Sequence, residues 1–386
     1  VYYENKFTPR NIDLSIHYFT LSANKNDIMS QFILGGLYYE GKLLDRDINK
    51  ALYFFSLASD QNHSESQYFI GKIYYEGKYI QRDIEKSIHY LTLSADKNNS
   101  DAQALLGKMF IEGFYSPKDK IKLIQYLIKS SELNNSDASL FLGLMFIEGE
   151  LIPPNIDVGI QYLIISANQE NTKAQFLLGS MFYKGNIVPR DIKKAIYFLE
   201  MAAKKNHPNS MFILGTIYLD DSYTNYDINK GIYFLTQAAN NDYTHAQYIL
   251  GLLYYNGEQI PCDINKSIEY LTISAKKNYN DSQYILGLIY YEGIHVPCDI
   301  DKSIYYLELA SNQNNSDAQL LLGVIFLESD KVKRDVKKAM HYLNLSVDQN
   351  NIEAANYLGK IYYNEKYIPR DINKSIYYIT KASNFY

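Results

Sequence analysis

Residues 64–99 read SESQYFIGKIYYEGKYIQRDIEKSIHYLTLSADKNN, and this pattern returns every 36 residues along the chain. Its fixed point is Gly71, matched at Gly35, Gly107, Gly143, Gly179, Gly215, Gly251, Gly287, Gly323 and Gly359. Self-similarity at a period of about 20 to 50 residues marks stacked repeats, in which each unit buries its apolar face only against its neighbours. No unit carries an insertion, so no stretch is left over for a separate catalytic domain.

The unit divides into two helices. Ser64 followed by Gln67 predicts a capping box that opens helix A, with the same signature at Ser100/Gln103, Thr172/Gln175, Thr244/Gln247 and Ser316/Gln319. Ile70, Ile73 and Tyr74 form its one-sided stripe, and Gly77 supplies the permissive backbone at its end. A short turn follows, with Pro189, Pro261, Pro297 or Pro369 in several units. Asp83 then caps helix B, as do Asp47, Asp191, Asp263, Asp299 and Asp371. Helix B is expected to bury Ile88, Tyr90 and Leu91 and to end on Ser94 and Ala95. Small residues (the glycine column, Ala202/Ala203, Ala238/Ala239, Ser274/Ala275) face an aromatic at every Tyr74 and Tyr90 position. That alternation suits close-packed stacking.

The expected fold is all-α, a right-handed α-solenoid of antiparallel helix pairs running as one unit over residues 1–386. Val1-Tyr2-Tyr3-Glu4 aligns with Leu37-Tyr38-Tyr39-Glu40, and Tyr386 falls one helix into a repeat. Solenoids need polar capping units, so the chain is expected to be part of a longer protein.

Composition narrows the class. A net charge of −5 argues against nucleic-acid binding, which needs clustered Lys and Arg to displace counterions. The 39 Tyr residues suit half-exposed interaction surfaces, and a coding bias explains them equally well. Cys262 and Cys298 lie one period apart. Packed elements sit about 8–10 Å from each other, beyond the roughly 7 Å that a disulfide spans between Cα atoms, so both read as free thiols. No apolar run approaches the ~18–20 residues of a membrane span. Asn-x-Ser sequons at Asn62, Asn98, Asn134, Asn280 and Asn314 fall in the turns between units. Their glycosylation would require the endoplasmic-reticulum lumen or the cell exterior; an Asn-rich chain with Ser at helix starts also produces them by chance. The free thiols favour a cytoplasmic location, with the reticulum lumen as the alternative.

Ala246-Gln247-Tyr248-Ile249-Leu250-Gly251-Leu252-Leu253-Tyr254-Tyr255-Asn256-Gly257, followed by Pro261-Cys262-Asp263-Ile264-Asn265-Lys266-Ser267, resembles the pattern of the Sel1-like repeat family, relatives of tetratricopeptide repeats. The resemblance covers essentially the whole chain. It implies a helical solenoid serving as an adaptor for protein complexes, in signalling, endoplasmic-reticulum quality control or host–microbe contact, sometimes joined to protein kinase domains. A disulfide-rich branch acts on β-lactam-type ligands, but its paired cysteines are missing here. The second glycine of the pattern is lost at Asp221, Ser329 and Glu365, where less regular helix ends are expected. Lys120 and Leu123 also depart from their columns, predicting a repacked unit.

No GxxxxGK[ST], GxSxG, HExxH or CxxC motif occurs. His17, His89 and His341 share a variable helix B column and read as a solvated face. His63, His207, His245 and His295 lie in or beside turns, without partners at ligand spacing, and Asp220-Asp221 reads as a solvated turn. The Lys column (Lys50, Lys86, Lys194, Lys230, Lys266, Lys302) is expected to lay its stems over the helix pair. No catalytic residue, metal or cofactor is expected.

A protein or peptide partner is the expected ligand. Helix A residues opposite the buried stripe should line the concave surface: Tyr248, Leu252 and Tyr255, then Tyr284, Leu288 and Tyr291, extended by Phe176, Tyr183 and Phe212. Tyr side chains would anchor the partner there; the same rings could instead pack against the next repeat. Ile121, Ile128 and Ile164, in otherwise polar columns of helix B, form a second candidate patch, with local repacking as the alternative. The chain therefore reads as a non-catalytic interaction scaffold. The docking arm of a larger enzyme such as a protein kinase, and a reticulum quality-control adaptor, remain open.

Overall fold

A computed structural model describes residues 12–114, 120–149 and 152–383, the side chain of Lys120 excepted. The alignment of residues 1–4, the Lys120 departure and the terminal Tyr386 lie outside these residues. The described residues contain 21 α-helices and no strand. They divide into two compact units, Val1–Ala202 and Ala203–Tyr386.

In the first unit the A helices are α2 (Ile28–Glu40), α4 (Ser64–Glu76), α6 (Ser100–Ile111), α8 (Ser136–Glu148) and α10 (Thr172–Lys184). The B helices are α1 (Ile12–Ala23), α3 (Ile48–Asp60), α5 (Ile84–Ala95), α7 (Lys120–Glu132), α9 (Ile156–Asn168) and α11 (Ile192–Ala203). In the second unit the A helices are α12 (Pro208–Leu219), α14 (Thr244–Asn256), α16 (Asn280–Glu292), α18 (Ser316–Glu328) and α20 (Ile352–Tyr363). Its B helices are α13 (Ile228–Asn240), α15 (Ile264–Lys276), α17 (Ile300–Ser311), α19 (Val336–Asp348) and α21 (Ile372–Ser383). Within each unit, each A helix packs on the B helix that follows it, and each B helix on the next A helix. This is the all-α solenoid of helix pairs.

The column glycine sets the spacing within a pair. A Cβ on Gly71 would stand 2.6 Å from Cγ of Leu91, and one on Gly251 2.6 Å from Cγ of Leu271. Those leucines are fully buried, so nothing larger than hydrogen fits between the helices. Beside this contact, Ser267 and Ser303 donate to the carbonyls of Gly251 and Gly287, both at 2.8 Å.

Helix B starts where expected. The Asp83 carboxylate accepts from the Lys86 amide at 2.9 Å, and Asp263 and Asp299 repeat the bond. Helix A ends on left-handed glycines such as Gly77 (φ 59°) and Gly257 (φ 70°). Where the second glycine is missing, the residue after the helix is extended instead: Asp220, Ser329 and Asn364. The irregular unit is visible too. Leu123 is buried where Ser87 and Ser267 stand in other repeats, and α6 is capped by Glu112, with the left-handed Gly113 (φ 82°) one residue later.

The capping box is not formed. Helix A is capped one residue earlier: Asn99 Oδ1 accepts from the Ala102 amide at 2.9 Å, and Asp27, Asn135, Asn171, Asn315 and Asn351 act alike. His63 and His207 also cap, their Nδ1 atoms accepting from the Ser66 and Ser210 amides. The residue before each cap (Asn62, Asn98, Asn134, Asn314) is left-handed, with φ of 61–69°. Asn tolerates that conformation best among non-glycine residues. With the cap displaced, Gln103 moves one position inward and is buried. Its Nε2 donates to the Ala95 carbonyl at 3.0 Å, a bond repeated by Gln31, Gln175, Gln247, Gln283 and Gln319. In helix B, Leu91 is fully buried, but Ile88 and Tyr90 are only half-buried.

The two aromatic columns stack on each other within the repeat. Tyr254 and Tyr270 lie 6.2 Å apart at 1°, and Tyr290 and Tyr306 6.1 Å apart at 5°. Over the first ring sits the lysine that follows the Asp cap, Lys266 at 5.0 Å and Lys302 at 5.1 Å. Its ammonium also meets the cap carboxylate, at 3.6 Å for Lys266–Asp263 and 2.9 Å for Lys302–Asp299.

Candidate protein-binding face

In the second unit, α16, α18 and α20 lie side by side and enclose a depression of about 1030 Å³. Its walls come from two helix A columns one turn apart: Tyr284, Leu320 and Asn356 in one, Leu288, Val324 and Lys360 in the other. Leu321, Ile352 and Tyr357 complete the apolar floor, while Asp317 and Glu353 stand at its edge. The Tyr357 hydroxyl is buried without a well-aligned hydrogen bond. Burial, and then the neighbouring Glu328 carboxylate, hold its pKa well above the ordinary phenol value.

Of the nine residues expected to line a groove, the depression gathers Tyr284 and Leu288. Tyr284 is half-buried, and its pKa is raised by burial and then by the carboxylates of Asp317, Glu353 and Glu292. Tyr248 and Tyr255 lean on the core around Leu271, Leu286 and Ile289. The Tyr255 hydroxyl donates to Glu292 Oε2 of the next repeat at 2.9 Å. Burial, helped by that carboxylate, pushes its pKa up to about 12. Leu252 is half-buried beside them, and Tyr291 packs against the core around Leu307 and Leu322.

Phe212 belongs to a separate cluster of rings. It lies 5.2 Å from Tyr243 and 6.2 Å from His245; His245 is 5.1 Å from Tyr279, which is 5.0 Å from Tyr248. Tyr243 and Tyr279 occupy the helix-cap position held by Asn in other repeats, and neither makes a side-chain cap bond. Asp281 adds to the effect of burial in raising the pKa of Tyr248 and Tyr279.

The other two expected residues lie in the first unit. Phe176 is half-buried on α10, and Tyr183 carries the Arg190 guanidinium 5.5 Å above its ring. The matching surface there holds only about 230 Å³, bounded by Tyr68, Tyr75, Lys72, Lys108, Ala104 and Leu105. Its lysines are engaged, Lys72 with Glu76 at 4.0 Å and Lys108 with Glu112 at 3.7 Å, and the Tyr75 hydroxyl donates to Glu112 at 2.6 Å, while Asp101 and Asp137 accept from Asn135 and Asn171. Of the isoleucine patch, Ile121 is 72% exposed, while Ile128 and Ile164 are half-buried. Ile128 packs against the core that contains Leu127 and Leu142.

Sequence reasoning missed Leu320, Leu321, Val324, Asn356, Tyr357 and Lys360. The signal was available, because Leu320 and Val324 stand one period after Tyr284 and Leu288. Among the described residues, no group of three His, Cys, Asp or Glu is arranged to hold a metal ion, and no helix is long and apolar enough to cross a membrane.

The sequence model of the Sel1 repeat matches eleven consecutive segments, from 2–27 and 28–63 through 316–351 to 352–384. The chain belongs to the Sel1 repeat family. Each interior Sel1 match begins at helix A and ends at the cap of the next one. A protective antigen of uropathogenic Escherichia coli strains, c5321, displays an SLR fold and is similar at a TM-score of 0.72 and 23% identity. The match covers 99% of this chain and 82% of the antigen. A Sel1 repeat protein from Oxalobacter formigenes is similar at a TM-score of 0.64 and 26% identity, over 77% of this chain and 86% of its own. No curated protein matches the sequence. Sel1 repeat proteins are generally protein-interaction scaffolds, and their solenoid is typically non-catalytic.

Proposed function

We propose that this Sel1 repeat chain is a non-catalytic scaffold that holds a polypeptide partner on the helix A face of its second unit. The observation that carries this reading is the depression over α16, α18 and α20, about 1030 Å³ with Leu288, Leu320, Leu321 and Val324 in its walls. Ligand sites are concave and mostly apolar, with a few polar groups at fixed positions. The first unit's equivalent surface is smaller, and its lysines are held in ion pairs. A photo-cross-linking amino acid at position 324 tests the proposal, with the same probe at position 121 as reference. Polypeptide adducts are expected at 324 and should vanish when Asn356→Trp fills the depression. Adducts that survive Asn356→Trp, or that form equally at 121, overturn it.

A further inference from the structure

The lip of this depression, at Asp317 and Glu353, carries charge that the chain leaves unanswered, and Asp281 continues the row one repeat before it. Asp281, Asp317 and Glu353 hold one position in the first turn of α16, α18 and α20. None has an ion-pair partner among the described residues. The carboxylates that cap the B helices of the same unit differ: Asp263, Asp299 and Asp371 each meet a lysine three residues on, at 3.6, 2.9 and 3.8 Å. Two of the three are held in place by neutral groups instead. Asn351 Nδ2 donates to Asp317 at 3.0 Å and Asn315 Nδ2 to Asp281 at 3.5 Å, while their Oδ1 atoms cap α20 and α18. Glu353 is exposed and makes no hydrogen bond among the described residues.

Accepting the depression as the binding face, we propose that its occupant is an extended peptide segment carrying Lys or Arg beside apolar residues. The cations would meet Asp281, Asp317 and Glu353, and the apolar side chains would rest on Leu288, Leu320 and Val324. Charge complementarity carries the inference, because opposite potentials across an interface steer encounter and fix register. Spacing adds a constraint. Neighbouring helices pack about 8–10 Å apart and an extended chain advances about 3.3 Å per residue, so the basic residues should fall roughly three apart. A single cation in the walls, Lys360, lies two turns from the lip on α20.

Panning a random peptide library on the whole chain tests this. Peptides of about twelve residues are long enough to cross three helices at ~3.3 Å per residue. Selected peptides should be enriched in Lys and Arg at the expected spacing. Their affinity should fall about tenfold, near 1.4 kcal/mol, in the Asp317→Asn/Glu353→Gln double variant, and also as salt screens the charges. Asp101→Asn/Asp137→Asn, in the first unit, should change nothing. Peptides that lose binding to Asn356→Trp but lack basic enrichment, or are indifferent to the double variant, overturn the cationic occupant and leave the binding face standing. Peptides indifferent to Asn356→Trp overturn the binding face and this proposal with it.

Discussion

Gln103 has no water-accessible surface, and its Oε1 has no hydrogen-bond partner among the described residues. In other repeats that oxygen is met by the residue thirty positions on: Gln61 reaches Gln31 at 2.8 Å, Lys97 reaches Gln67 at 3.1 Å and Gln313 reaches Gln283 at 2.7 Å. For Gln103 that residue is Leu133, which is 55% exposed. A buried unmatched acceptor is destabilising, and a restored hydrogen bond is worth about 0.5–1.5 kcal/mol. Leu133→Gln should therefore raise the unfolding free energy by an amount in that range, read as a higher urea midpoint with an unchanged slope. An unchanged or lower midpoint would mean that the Gln103 oxygen is already satisfied. The same glutamine marks the limit of reading single residues. In Asn98-Asn99-Ser100 the sequence offers three adjacent polar residues for one cap, and Gln103 three places after Ser100 points to the wrong one. The left-handed turn decides the matter by claiming Asn98, which leaves Asn99 to cap and carries Gln103 into the core. It also accounts for most of the sequons: Asn for the turn, a cap, then Ser at the helix start.

At the scale of helices, the Asp caps and the Lys column of helix B were read from the sequence, and their pairing follows because both lie in one turn. The ring beneath the lysine was not, since it comes from the preceding helix, twelve residues back. Lys302 thus joins three elements: the cap Asp299, its own helix α17, and Tyr290 on α16. Exposed ion pairs contribute little, and a cation over an aromatic face adds a modest attraction. Lys302→Gln should destabilise modestly, while Lys302→Arg should be nearly neutral because the cation remains above the ring. Urea unfolding of the two variants separates the contributions: equal losses would show that the ring contact is idle. The candidate face was legible by column and not by extent. Tyr284 and Leu288 were found because aromatic density drew attention to their repeat; the floor runs on through aliphatic Leu320 and Val324. Depth also depends on which side chains leave space, as Asn356 does, and periodicity holds no record of that.

Across the whole molecule, the abundance of tyrosine becomes a response to alkali. Burial is the largest cause raising the pKa of Tyr248, Tyr255, Tyr284, Tyr306, Tyr342 and Tyr378, and for Tyr255 the shift runs from 10.0 to about 12. A group whose pKa is higher in the folded state stabilises that state below its unfolded pKa, and loses this effect as pH rises through the folded value. Stability should therefore hold up to about pH 10.0 and decline towards about 12, with a shallower decline in Tyr255→Phe. Denaturation followed alongside phenolate absorbance checks this, and a decline that begins well below pH 10.0 would point to other groups. The glycine period made the solenoid legible, because a Cβ anywhere in that column collides with the facing helix. Its regularity has a consequence for inheritance. The side-chain bonds between repeats join positions at fixed offsets, such as Asn351 to Asp317 and Gln349 to Gln319. Excising residues 280–315 would bring the Tyr255 hydroxyl to Glu328 in place of Glu292, set Thr272 in place of Glu308 beside Tyr342, and leave the other pairs in step. That shortened chain should fold with the same helicity by circular dichroism, whereas removing one residue fewer should not. Unequal exchange between gene copies can therefore lengthen or shorten this protein by whole repeats, and selection can adjust its reach without redesigning a single joint.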